Sequence, residues 1–291
     1  MSGTERIERA LQAAIAVAQG PSCPPRLAEA LHYTVFPGGA RVRPKLCLAV
    51  ALACGDDRPE LADAAAASIE ILHCASLVHD DLPCFDNAAL RRGKPSVHCA
   101  FDEPLAVLAG DTLIVLAFET LARASGAAPE RLGPLVSIIG RSVGAPFGIC
   151  AGQAWESEPT APLREYQRAK TGALFIAATA AGAAAAGADP APWRALGDRL
   201  GEAYQVADDL KDALEDAATI GKPVGVDAAL ERPSAVSELG VAGAVGRLKE
   251  LIGGALEAIP DCQGADLLRG IVMGEAERLA PKKAALSKEA A

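Results

Sequence analysis

The sequence predicts an all-α fold, and three observations carry that prediction. Half of the 291 residues are hydrophobic while only 4% are aromatic, and alanine and leucine, both strong helix formers, supply much of the apolar content. Apolar residues recur at helical spacing. No alternating pattern of strand length interrupts them, and there is no short repeat or low-complexity linker. The economical arrangement is one all-α domain over residues 1–291, a bundle of roughly ten helices with a tail after about residue 281 that frays.

The helices follow in order. Ile7, Leu11, Ala14 and Ile15 form one face of an opening helix over 5–18, which Pro21, Pro24 and Pro25 end. A second helix runs over 26–35 until FPGGARVRPKL (36–46) breaks it, with Pro44 suited to the first turn of the next. The helix over 45–54 is almost wholly apolar and therefore buried. GDDRPE (55–60) is a loop, and a long helix from about Pro59 reaches Asp80. Pro83 prevents continuation, since it lacks an amide hydrogen and clashes with the preceding turn. Residues 102–125 form another apolar helix, interrupted by Gly110-Asp111, which reads as a buried polar pair. Further helices are expected at 129–142, 145–156, 162–186, 191–218, 233–257 and 263–280.

Composition excludes several functions. A net charge of −9 argues against nucleic acid, whose binding relies on clustered Lys and Arg, and leaves any phosphorylated substrate to local basic residues or bound cations. Eight cysteines stand without a CxxC pair, several in apolar helical stretches where Cys acts as a small hydrophobe, which indicates a reducing cytoplasm. The charged N-terminus lacks a secretory signal. The apolar stretch Ala173–Gly187 is shorter than the ~20 residues a membrane span needs, so a soluble protein without a membrane span is expected.

Chemistry concentrates in HCASLVHDDLPCFDNAALRRGK (73–94) and DDLKD (208–212). On a helix Asp208 and Asp212 share a face while Asp209 sits about 100° round. Like charges at that spacing repel unless cations or solvent relieve them. A lone DDxxD is more often a solvated patch, but the small, apolar run AYQVA before it shifts the balance towards metal. Asp80 and Asp86 would lie about 240° apart on a continuous helix; the break at Pro83 lets Asp86 turn back towards Asp80. Acids at a helix C-terminus are disfavoured by the helix dipole, and an unfavourable choice made twice points to function. Carboxylates that leave waters on the metal suit Mg²⁺. The two clusters are expected to face one pocket. His73, seven residues before Asp80, lies on nearly the same face and is as compatible with a packed core histidine as with a ligand-facing one. Ala75 and Ser76 lie about 6–7.5 Å deeper along that helix, and both are small.

DDLPCFDNAALRRGKP resembles the first aspartate-rich motif of the trans-isoprenyl diphosphate synthases (polyprenyl synthetases), and YQVADDLKD resembles their second. GGARVRP (38–44), AGDTL (109–113), GQAWE (152–156), KTGALF (170–175) and GKPVGVD (221–227) follow in the family's order, so the resemblance covers nearly the whole chain. It is nearest to the members that make geranylgeranyl diphosphate (C20) for bacterial carotenoids. The resemblance implies the isoprenoid synthase fold, with a deep central cavity, and a homodimer.

It also implies roles. Asp80, Asp86, Asp208 and Asp212 would hold two or three Mg²⁺ ions gripping an allylic diphosphate (dimethylallyl, geranyl or farnesyl), with Asp81 and Asp209 orienting ligands behind them. Arg91, Lys170 and Lys222 would neutralise the same diphosphate, flanked by Thr171 and Gln205. Arg43, His73 and Arg92 resemble the isopentenyl diphosphate site. The reaction implied is head-to-tail condensation through an allylic carbocation in a dry pocket, with released diphosphate accepting the proton. The chain departs from the pattern at Ala40, where the family has lysine; this either weakens isopentenyl diphosphate binding or leaves that cation to Arg41, Arg43 and Arg92. It departs again at Asn87, Ala88 and Ala89, where further acids are usual, and at Arg232, which matches a second family lysine. Ala75 and Ser76 offer no aromatic floor, which favours C20 over C15. Competing readings are a farnesyl diphosphate (C15) synthase, a class I terpene cyclase, which needs no second diphosphate site, and a non-catalytic subunit modulating a partner synthase. Such subunits typically lose one aspartate motif; this chain keeps both.

Overall fold

The computed structural model describes residues 2–36, 38–160, 162–214 and 234–279. The regular secondary structure of the described residues is helical apart from one two-residue antiparallel ladder, Leu90–Arg91 with Lys94–Pro95. Backbone packing groups the chain into two compact units, Met1–Gly140 with Ala177–Pro190 and Arg141–Ile176 with Ala191–Ala291.

In the first unit, α1 (Gly3–Ala18) opens with a capping box. The Ser2 hydroxyl accepts from the Glu5 amide while Glu5 accepts from the Ser2 amide, satisfying two otherwise orphaned donors. The face it buries is Ile7, Leu11, Ala14 and Ile15, the spacing set by the sequence. α2 (Pro25–Val35) and α3 (Val42–Ala53) follow. α4 (Pro59–Asp80) is the centre of this unit, buried without interruption from Leu61 to Leu72. After α5 (Val97–Ala100) comes α6 (Glu103–Ala124), whose N-cap Asp102 accepts from the Leu105 amide at 2.8 Å. Ser68 on α4 donates to the Ala117 carbonyl of α6 at 2.7 Å, so a buried hydroxyl is satisfied across the helix pair.

α4 and α6, each 22 residues with mean hydropathy 1.5 and 1.8 over their most apolar windows, are long and apolar enough to cross a membrane by length and composition. They exceed the 173–187 stretch singled out from sequence. Of those windows 83% is buried on α4 but only 39% on α6. The uncovered part of α6 includes Val107, Leu108 and Val115.

The helix expected over 129–142 is a 3₁₀ turn followed by α7 (Leu132–Val143). In the second unit, the helix expected over 145–156 is α8 (Ile149–Ala154) and a 3₁₀ turn, Trp155–Ser157. The one expected over 162–186 is three pieces: α9 (Leu163–Gln167), a π-helical turn Arg168–Gly172, and α10 (Ala173–Ala185), whose residues from Ala177 belong to the first unit. α11 (Arg194–Leu214) packs Ala203, Val206, Ala207 and Leu210 against Ala244, Leu248 and Leu251 of α12 (Ala235–Glu257) and Leu279 of α13 (Ala265–Leu279). Lys222, Arg232 and the tail after 281 lie outside the described residues.

Candidate active site

In the first unit α4 ends at Asp80, as Pro83 requires. The Asp86 amide donates to the Asp80 carbonyl at 3.0 Å and the Ala88 amide to the Asp81 carbonyl at 3.1 Å. The chain therefore folds back and returns Asp86 to Asp80. Asp80 and Asp86 are half-buried, whereas Asp81 is 2% exposed. The reason lies in Arg91, whose Nε stands 3.0 and 3.1 Å from the two Asp81 oxygens, with a second guanidinium nitrogen on Oδ1. Burial pushes the Asp81 carboxyl up, against the opposing pull of Arg91. Burial likewise works against the Arg91 charge, but Asp81, backed by Asp80 and Asp86, holds it protonated. Arg91 thus offers a guanidinium already clasped by Asp81, and Asp81 orients an arginine.

Upstream, the GGA turn makes room for two arginines. A Cβ on Gly38 would overlap the Arg41 guanidinium, and one on Gly39 would lie 3.0 Å from Arg92 Cζ. Arg41, in the left-handed region at φ 53°, is fully engaged: it donates to Glu8 at 2.8 Å, Glu70 at 2.8 Å and the Val35 carbonyl at 2.9 Å. It therefore cannot replace the cation missing at Ala40, which corrects the sequence reading. Lys45 instead brings its ammonium to that turn, 2.9 Å from the Ala40 carbonyl. The signal was available, since Lys45 follows Arg41 by one helical turn.

His73 retains some accessible surface among densely packed atoms. Burial holds it well below the ordinary histidine range, and Arg43, Arg92, Arg91 and Arg41 push in the same direction. At neutral pH it is an uncharged hydrogen-bonding group in a field of arginines. Ala75 is buried, and half-buried Ser76 donates to the His73 carbonyl at 2.9 Å. Gly110 is buried beneath the His79 ring. Asp111, expected to be buried beside it, is instead 61% exposed along its side chain, 3.6 Å from His79 Nε2.

In the second unit Asp209 is the buried acid of DDLKD, while Asp208 is exposed and Asp212 half-buried, the division that 100° steps dictate. Thr171 Oγ1 donates to Gln205 Oε1 at 2.8 Å, Gln205 Nε2 donates to Asp209 Oδ1 at 2.9 Å, and Asp209 Oδ2 accepts from the Ala235 amide at 2.7 Å. A carboxylate at the first amide of α12 also meets the favourable end of its dipole. Asp209 is thereby a fixed support rather than an open ligand. Lys170 Nζ meets Glu156 Oε1, an acid the sequence reading left without a role.

The donors of each unit, taken by itself, fit Mg²⁺. Asp80 and Asp86 in the first, and Asp208 and Asp212 in the second, offer hard carboxylate oxygens, and among the described residues no three side chains form a ready-made metal cage. A cation that keeps waters and takes its remaining ligands from substrate phosphate needs no such cage.

Acid segments flanked by cations on an all-α frame define a class of enzyme that grips an anionic substrate through bound metal. The polyprenyl synthetase family model matches residues 24–261, and the chain belongs to that family, a family of prenyltransferases. It is 58% identical over 285 residues to a geranylgeranyl diphosphate synthase of Cereibacter sphaeroides, covering 98% of this chain and 99% of that one. It is 54% identical to the Rhodobacter capsulatus enzyme of the same name, covering 96% of each. Among solved structures, a Helicobacter pylori geranyltransferase complexed with magnesium and isoprenyl diphosphate superposes with a TM-score of 0.78 at 29% identity, over 96% of this chain and 98% of that one.

Proposed function

We propose that the chain is a geranylgeranyl diphosphate synthase, joining isopentenyl diphosphate head-to-tail to dimethylallyl, geranyl or farnesyl diphosphate. The observation that carries this is the match to relatives of that name over 96–98% of the chain, in a chain whose own structure folds Asp86 back to Asp80 in the field of Arg91.

Asp80 and Asp86 in the first unit, and Asp208 and Asp212 in the second, would hold two or three Mg²⁺ ions. When bound, the metal supplies charge neutralisation for a departing diphosphate. Lys170, with Thr171 and Gln205 beside it, binds the allylic diphosphate, joined by Lys222 and Arg232. Arg91, fixed by Asp81, adds a guanidinium to the same group. Arg43, Arg92 and neutral His73 bind isopentenyl diphosphate. Stabilising the leaving group leaves an allylic carbocation; the double bond of isopentenyl diphosphate attacks it, and the released diphosphate takes the proton. The small Ala75 and Ser76 let the product reach C20.

The match across 24–261 supports a single catalytic domain. Homodimerisation is supported by the uncovered apolar face of α6, where Val115 is 67% exposed and Leu108 51%. The buried packing of α4 favours a core helix over a membrane span, the cysteines without a CxxC pair favour a reducing cytoplasm, and the resemblance to members serving bacterial carotenoids favours carotenoid formation as the use of the product.

Incubating the protein with Mg²⁺, labelled isopentenyl diphosphate and each starter, then resolving products by length, tests the reading. Label in C20 supports it. Label ending at C15 indicates a farnesyl diphosphate synthase, and no elongation from any starter removes the synthase assignment.

A further inference from the structure

The GQAWE segment folds onto Lys170. α8 approaches so closely that a Cβ on Gly152 would lie 2.4 Å from the Lys170 amide nitrogen and 2.5 Å from its Cα. Only glycine permits that approach. Just beyond α8, Glu156 receives the Lys170 ammonium and the Tyr166 hydroxyl, the latter at 2.7 Å, both on Oε1, and Gln153 Nε2 on Oε2 at 2.9 Å. The Lys170 ammonium also lies 6.0 Å from the Tyr166 ring centroid. Lys170 sits in the π-helical turn Arg168–Gly172, a local departure that often marks functional sites. Its neighbour Thr171 is fixed separately by Gln205.

Lysine is a compact charge on a flexible four-carbon stem, and ordering that stem costs entropy that substrate binding would otherwise supply. Here the stem is ordered in advance. The group that orders it is itself held by two donors, Tyr166 and Gln153, so the carboxylate keeps its place if the ammonium shifts towards a ligand. We propose that Glu156 is a positioning residue for Lys170: it aims the ammonium before the allylic diphosphate arrives and keeps it aimed as the diphosphate departs. The inference rests on the reading that Lys170 binds the allylic diphosphate. Pre-aimed charges of this kind act on the departing group more than on the ground state.

The test is steady-state kinetics on the full chain with Glu156→Gln, Glu156→Asp and Lys170→Met, alone and combined. Glu156→Gln keeps the shape and removes the charge; kcat should fall at least tenfold, with KM for isopentenyl diphosphate within twofold of wild type and Tm unchanged. Glu156→Asp should recover part of the loss. On a Lys170→Met background, Glu156→Gln should change the rate less than twofold, because its effect runs through the lysine. A Glu156→Gln enzyme with wild-type kcat overturns the inference. So does a loss that persists undiminished on the Lys170→Met background, or one that raises both KM values and lowers Tm together. If Glu156→Gln does not fold, Glu156→Asp at the same kcat as wild type with no coupling to Lys170 overturns it equally. Wild-type protein that makes no prenyl product is a separate result, and it removes the functional reading instead.

Discussion

Asp81 and Arg91 form a near-bidentate pair in which the carboxylate is 2% exposed and the guanidinium Nε stands 3.0 and 3.1 Å from its two oxygens. The second aspartate of DDLPCFD therefore acts on an arginine, while its neighbours Asp80 and Asp86 stay half-buried. Removing one partner of a buried pair leaves the other's charge uncompensated. Asp81→Asn should cost about 1–3 kcal/mol, less than a fully buried pair because Arg91 keeps some solvent, and should raise KM for the allylic substrate. Urea denaturation and initial rates check both; unchanged stability with unchanged KM would contradict the pairing.

Arg41 and Glu70, each with a side chain only 2% exposed, tie the GGA turn to the core of α4, with Glu8 as a third member. Glu70→Ala should lower unfolding stability by about 1–3 kcal/mol, less than the loss for a buried ion left without any partner, because Glu8 still faces Arg41. The denaturation midpoint reads this out, and a midpoint equal to wild type would refute the linkage.

His73 gives a pH dependence of stability. Its folded-state affinity for a proton is depressed, first by burial and then by four arginines. Below the ordinary histidine pKa of about 6.5 the unfolded chain takes up a proton that the folded chain refuses, so stability falls as pH drops through that value and the penalty is absent above it. Wild type should lose more stability than His73→Gln between pH 7.5 and pH 5, by up to about 1.4 kcal/mol per pH unit. Thermal melts of the two proteins that run parallel across this range would contradict the assignment.

Much of this was legible in the sequence because it is local. Spacing set the buried face of α1, the end of α4 before Pro83, and the order from exposed Asp208 through half-buried Asp212 to buried Asp209. What was not legible is tertiary. Arg41 finds Glu70 across 29 residues and Glu8 across 33, and nothing in the pattern GGARVRP distinguishes this arginine from Arg43 as a ligand for substrate. Asp111 reads as buried from its apolar neighbours, yet it faces outward on α6. The π-helical turn at Arg168–Gly172 is a slip in the hydrogen-bond ladder that a helical pattern cannot record, and with it the Lys170–Glu156 pair went unseen.

Product length should respond to Ala75, buried on α4 five residues before Asp80. Replacing it with tyrosine fills the space along the helix where a growing chain is expected to extend. Ala75→Tyr should shift the main product from C20 to C15 while elongation continues. An active variant with the wild-type product would show that growth is stopped elsewhere.

The most direct measurement of the central claim is a single-addition assay with farnesyl diphosphate and labelled isopentenyl diphosphate, with Mg²⁺ and with excess chelator. The account predicts labelled C20 diphosphate with metal, none with chelator, and at least a hundredfold loss in both Asp80→Ala and Asp208→Ala proteins, the scale expected for removing charge stabilisation at a leaving group. C20 formed equally well in chelator, or by both aspartate variants, would contradict it.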